Sequence, residues 1–170
     1  TENSGRVYGE LSFPALMLSS STEDIKIQNP STCILDNGNV FISGGLGSKA
    51  CFDYNPSIQS AVEVPSMSIE RVYHTCIKLA DGRVMVCGGL KDIPSSCACL
   101  TQIEFNNLDK NDGIIGSWFL KSAAIYDPSF NSWTSLPDMS VKRMNHAAVV
   151  INPNDSTSKV LVTGGKWTYR

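Results

Sequence analysis

The chain has 170 residues, of which 42% are hydrophobic and 18% are charged, a balance that indicates a globular protein rather than a disordered one. Its net charge of -2 gives no electrostatic reason to expect nucleic acid or an anionic membrane surface as a partner. No apolar run approaches the roughly 20 residues of a membrane-spanning helix, so a membrane partner is not expected either.

The first predicted elements are short apolar segments joined by turn residues. Segments 32–35 and 40–42 flank Asp36-Asn37-Gly38-Asn39, and segments 75–79 and 84–87 flank Ala80-Asp81-Gly82-Arg83. Asn-Gly and Asp-Gly favour the positive φ of a type I′ turn, so both units are predicted to be β-hairpins with two-residue loops. A third hairpin is predicted from 146–151 to 159–163, across a longer polar loop.

A second pair of strands is predicted to follow the first in each unit. Segments 122–126 and 132–136 flank a turn at 127–131, and segments 50–54 and 61–64 flank a turn at 55–58. Proline presets φ in such turns, and Asp or Asn tolerates the bend. Each unit is therefore predicted to contain four antiparallel strands.

Residues of the same type recur at fixed spacing along these units, and repetition of this kind is typical of repeat architectures. Glycine pairs end the second strand of three hairpins, at Gly44-Gly45, Gly88-Gly89 and Gly164-Gly165. Three further positions recur 72 residues apart, as Tyr54 and Tyr126, Arg71 and Arg143, and His74 and His146.

Four strands per unit, the glycine pairs, a tyrosine in the third strand, Trp133 after Tyr126 and an Arg-x-x-His segment resemble the kelch family of β-propellers. The galactose-oxidase-like central propeller is the enzymatic relative that this resemblance implies. The fold class it implies is all-β, a kelch-type propeller portion of about three four-stranded antiparallel blades. Blades are expected at 31–73 and 74–145, with a partial blade at 146–170 and outer strands of a preceding blade within 1–30.

The repeat count raises the question of how such a ring would be completed. Kelch repeats have about 50 residues, and propellers have about four to eight blades. A chain of this length is therefore not expected to close a ring alone. The remaining blades are expected to come from further sequence or from other chains.

One long insertion, at 91–119, separates Gly89 from the next predicted strand. Long loops on a rigid scaffold often carry function. The resemblance implies a protein–protein interaction module with no catalytic residue and no cofactor. The candidate partner-binding residues lie at the two ends of the insertion and are Lys91, Asp92, Trp118 and Phe119.

An alternative function is implied by Arg71-Val72-Tyr73-His74, which resembles a segment of galactose- and glyoxal-oxidase-like copper radical enzymes. In that family an adjacent tyrosine and histidine bind copper, so Tyr73 and His74 are the candidate copper ligands. The family also needs a tyrosine cross-linked to a cysteine and a second histidine from a later domain, and the sequence offers no position for either. His146 occupies the same repeat position as His74, which favours a structural role for both histidines.

The six cysteines leave further possibilities open. A two-residue turn at Asp81-Gly82 would make Cys76 and Cys87 face each other, either as a disulfide or as buried free thiols. Cys97 and Cys99 supply two soft metal ligands, which do not complete a site, or else two free thiols.

Overall fold

The computed structural model describes residues 11–12, 26–93, 115–154 and 159–165. Within these ranges the chain forms β-strands and one short helix, and that helix is not long and apolar enough to cross a membrane. The elements in chain order are β1 (Leu11–Ser12), β2 (Lys26–Ile27), β3 (Ser31–Ile34), β4 (Val40–Ser43), β5 (Cys51–Asn55), β6 (Ser60–Val64), β7 (Thr75–Lys78), β8 (Val84–Cys87), α1 (Ile115–Trp118), β9 (Ala123–Asp127), β10 (Ser132–Leu136), β11 (Ala147–Ile151) and β12 (Lys159–Thr163).

The strands form antiparallel sheets in which sequence neighbours pair. Strands β3-β4-β5-β6 make one four-stranded sheet, the first blade, and β7-β8-β9-β10 make the second blade. Strands β11 and β12 form a two-stranded third sheet, and β1 pairs with β2. The prediction of an all-β propeller portion is confirmed. The boundaries predicted for each blade along the chain stay predictions.

The hairpin turns of the first two blades differ from the predicted two-residue loops. In the second blade Leu79 N donates to Arg83 O at 2.7 Å and Gly82 N donates to Leu79 O at 3.1 Å, which closes a three-residue loop. Only the last loop residue, Gly82, has positive φ (84°), whereas a type I′ turn needs it at two residues. The loop ending at Gly38 (φ 81°) is built in the same way.

The extra loop residue changes the strand register, and the predicted facing of Cys76 and Cys87 is therefore wrong. Cys76 pairs with Val86, and Cys87 pairs with Thr75. A shift of one residue moves a side chain to the opposite face of a sheet. The two thiols thus lie in different layers of the protein.

Packing between the sheets creates the hydrophobic core. Phe41 of the first blade is fully buried against the second blade, where its ring stacks on Tyr126 at a centroid distance of 5.0 Å. Trp133 adds a tilted contact to Phe41 at 6.3 Å, and its indole N–H donates to Pro65 O at 2.6 Å. These three aromatic residues therefore hold the first two blades together.

Candidate functional site

The buried arginine Arg71 connects the first blade to the second. Its side chain is 3% exposed, and its Nη1 donates to Gly88 O at 2.9 Å and to Ser122 O at 3.1 Å. Its Nη2 donates to the Ser122 hydroxyl at 2.9 Å. Arg143, at the same repeat position, donates to Gly164 O at 2.8 Å. In this arrangement both guanidinium groups bind backbone carbonyls of the following sheet.

The two histidines of the repeat are buried and neutral at neutral pH. His74 Nε2 lies 2.9 Å from the Ser43 hydroxyl, which itself donates to Ser31 O, so we assign Nε2 as the donor. Burial, followed by the charge of Arg71, lowers the pKa of His74 to about 3. His146 Nε2 lies 3.2 Å from Cys87 Sγ, and burial lowers the pKa of His146 to about 4.

The candidate copper ligands Tyr73 and His74 bind different groups. Tyr73 has positive φ (56°), and its hydroxyl accepts a hydrogen bond from Asn29 Nδ2 at 3.4 Å, whereas His74 Nε2 is occupied by Ser43. Among the described residues no group of three His, Cys, Asp or Glu side chains is placed to hold a metal. These two donors do not by themselves fit a copper centre, so any further ligands would have to come from outside the described ranges.

The ends of the long insertion belong partly to the core. Phe119 is only 2% exposed and packs with Val72, Leu90 and Met144, while Trp118 is half-buried beside them. The side chain of Phe119 is thus buried in this structure, and its contact with a partner stays a prediction. Lys91 and Asp92 stay on the surface as an ion pair at 2.8 Å. Cys97 and Cys99 lie outside the described residues.

The hairpin edge, defined as the end of the sheets where the β3–β4, β7–β8 and β9–β10 turns meet, carries a cavity of about 490 Å³. Four carboxylates line the cavity, from Asp36 and Asp81 in the first two of these turns, Asp127 at the end of β9 and Asp53 on β5. The Oδ1 atom of Asp53 is buried without a hydrogen-bond partner. Two of these carboxylates form ion pairs. Lys78 pairs with Asp36, and Arg83 pairs with Asp81 at 2.6 Å. The polar lining residues are Asp36, Asn37, Asp53, Asp81, Arg83, Asp127 and Ser129.

An exposed phenylalanine lies in the lining of this cavity. Phe130, in the β9–β10 turn, is 79% exposed. Ile58 occupies the equivalent place in the β5–β6 turn, 72 residues earlier, and is 72% exposed, but it does not line the cavity. The sequence contained a signal for this pair, because a large apolar residue recurs in turns that otherwise contain Pro, Ser and Asn.

The successive antiparallel sheets, the glycine pairs at their ends and the arginines that cross between them define a partial β-propeller. No established family profile matches the chain. It is 28% identical to a galactose oxidase of Gibberella zeae over 115 residues, which cover 68% of this chain and 14% of the relative. A second galactose oxidase of Gibberella zeae gives the same values. The chain therefore spans about one seventh of the length of these curated relatives.

Two solved structures are similar to this chain at low sequence identity. The structure of YjhT superposes with a TM-score of 0.55 at 13% identity, covering 88% of this chain and 57% of that one. A fungal alcohol oxidase of the AA5 family in complex with copper gives a TM-score of 0.45 at 18% identity, with 65% and 19% covered. The galactose oxidase and YjhT similarities confirm the predicted kelch-type, galactose-oxidase-like propeller fold.

Proposed function

We propose that this chain is part of a kelch-type propeller that binds a partner protein at the hairpin edge. The observation that carries the proposal is the exposure of Phe130 beside a cavity lined with carboxylates. Exposed aromatic side chains next to a pocket are typical anchors of protein interfaces. Loops of a rigid scaffold are also a common place for recognition.

The charges at the hairpin edge favour a partner of defined chemistry. The cavity lining holds four aspartates and one arginine. Opposite charge on the partner would steer association and fix its orientation. We therefore expect the partner to present Lys or Arg side chains to the cavity and an apolar contact to Phe130.

We also propose that more β-structure completes the ring, and an exposed apolar face of the third sheet supports this. Val149 pairs with Leu161, and these residues are 52% and 48% exposed. The equivalent pair in the second blade, Ile77 and Met85, packs against the third sheet, where Met85 is 8% exposed. We propose that another blade, from further sequence or from another chain, covers Val149 and Leu161.

Substitution of Phe130 tests the partner-binding proposal. The 170-residue chain is used to capture proteins, and each captured protein is then purified and titrated against it by calorimetry. We expect Phe130→Ser to weaken the binding of a true partner at least about thirtyfold, because loss of an anchor residue typically costs about 2 kcal/mol or more. Higher salt should weaken binding as well, since the charges at the edge are exposed.

The matched control for this test is Ile58→Ser, which removes the equivalent exposed residue from a turn that does not line the cavity. It should change the affinity less than about twofold. Equal affinity of a partner for the wild type and Phe130→Ser would mean that it binds away from the cavity. An equal loss of affinity in Phe130→Ser and Ile58→Ser would lead to the same conclusion.

A copper radical oxidase is a second candidate, favoured by the match to galactose oxidase and by the adjacent Tyr73 and His74. Copper would supply one-electron chemistry to such an enzyme. The neutral imidazole of His74 is in the state needed for metal binding. The described residues provide only these two donors, so this candidate depends on ligands elsewhere.

Metal analysis separates the two candidates. If the oxidase candidate is correct, the chain should retain about one copper per molecule after dialysis, and Tyr73→Phe or His74→Gln should abolish retention. Hydrogen peroxide release with primary alcohols would accompany it. Equal copper contents in the wild type and in both variants would exclude Tyr73 and His74 as ligands.

A further inference from the structure

Two cysteines from different blades approach each other where the first two blades pack together. Cys33 lies on β3, the first strand of the first blade, and Cys76 lies on β7, the first strand of the second blade. Their sulfur atoms are 3.5 Å apart although the residues are 43 positions apart in sequence. Cys33 is half-buried, while Cys76 is 8% exposed.

We propose that Cys33 and Cys76 form a reversible disulfide that joins the two blades when the protein meets hydrogen peroxide. A disulfide has a sulfur–sulfur distance of about 2 Å, so the two atoms need to approach by only about 1.5 Å. The strands that carry them are neighbours, so the movement is within reach of side-chain rotation and small strand shifts.

The environment gives the two thiols different roles. The Cys76 thiol donates a hydrogen bond to Cys33 Sγ, and this bond, together with the charge of Lys78, lowers the pKa of Cys33. The same hydrogen bond and burial raise the pKa of Cys76. Cys33 is therefore the more acidic and more accessible thiol and Cys76 is its resolving partner, the arrangement found at redox-sensitive cysteines.

The chemistry balances with hydrogen peroxide as the two-electron oxidant. The Cys33 thiolate attacks one peroxide oxygen, the O–O bond breaks, and a sulfenic acid and hydroxide form. The Cys76 sulfur then attacks the sulfenic sulfur, the S–O bond breaks, and hydroxide leaves. The proton of the Cys76 thiol and the proton released from Cys33 convert the hydroxides to water. Two thiols and one peroxide thus give one disulfide and two waters.

The other cysteines of the described part are not placed for this reaction. Cys51 is fully buried and its thiol points to Lys49 O at 3.7 Å, while Cys87 is fully buried against His146. Burial raises the pKa of each thiol to about 11. Cys51 lies in the same hydrophobic cluster as Cys76, which makes it a matched control.

The test uses the full chain in a Cys97→Ser/Cys99→Ser background, so that the four described cysteines account for every thiol. The reduced protein is treated with hydrogen peroxide, quenched with catalase, alkylated under denaturing conditions and digested. We expect a linked peptide that contains Cys33 and Cys76, a loss of two alkylable thiols per chain, and full recovery with dithiothreitol. The cross-link should raise the thermal midpoint by about 10 °C.

Control variants decide whether the reaction belongs to this pair. Cys33→Ala and Cys76→Ala should each abolish the linked peptide and the rise in midpoint, whereas Cys51→Ala should keep both. Cys33→Ala removes a half-buried side chain and stays informative even if Cys76→Ala does not fold. A Cys51–Cys76 peptide, sulfinic acid at Cys33 without a cross-link, or unchanged thiol loss in Cys33→Ala would overturn the proposal.

Discussion

Gly88→Ala should lower the free energy of unfolding by about 4 kcal/mol or more, a large part of the stability of an ordinary domain. Gly88 has a φ of 63°, which costs an L-residue about 1–2 kcal/mol. A Cβ at this position would also lie 2.5 Å from Arg143 O and 2.7 Å from His146 Cε1. The carbonyl cannot move away freely, because it accepts a hydrogen bond from Gly89 N at 2.9 Å.

Gly164→Ala separates the conformational cost from the steric one. Gly164 occupies the same repeat position with a φ of 68°, but no described atom lies within 4 Å of its added Cβ. Its substitution should cost only the conformational part, about 1–2 kcal/mol. Urea denaturation followed by circular dichroism measures both variants. Similar losses in the two variants would show that crowding by Arg143 and His146 contributes nothing.

The repeat made the fold predictable, because each blade makes the same contacts with its neighbour and therefore needs the same side chains at the same positions. Glycine pairs, aromatic residues and the arginine–histidine segment are each required where one sheet meets the next, so their spacing is visible in the sequence. The loop length of the hairpins was not predictable in the same way. Asp81-Gly82 suits a two-residue loop and a three-residue loop equally well, and only the strand pairing distinguishes them.

That one-residue error explains why the cysteine pair was missed. The predicted register placed Cys76 opposite Cys87 within one sheet, whereas the observed register directs Cys76 towards Cys33 in the neighbouring blade. Contacts between blades depend on how twisted sheets pack, which local patterns do not encode. The burial of Phe119 was not predictable for a related reason. Phe119 lies at the end of a polar insertion, but it returns to the core beside Leu90.

Arg71→Ala should destabilise the protein by about 3–5 kcal/mol, because it removes the donor for two backbone carbonyls and one hydroxyl at a nearly inaccessible site. Arg71→Lys should restore only part of this loss, since an ammonium group cannot reproduce the planar geometry of the guanidinium.

Arg143→Ala is the internal control, because Arg143 occupies the same repeat position but donates to Gly164 O at a solvent-exposed contact. Water can replace that hydrogen bond, so we expect a loss of about 1 kcal/mol. Urea denaturation of Arg71→Ala, Arg71→Lys and Arg143→Ala measures the difference. Equal losses of unfolding free energy in the two alanine variants would mean that burial of the Arg71 contacts adds nothing to the stability of the protein. A larger loss at Arg71 would show that the crossover between complete blades depends on its three hydrogen bonds.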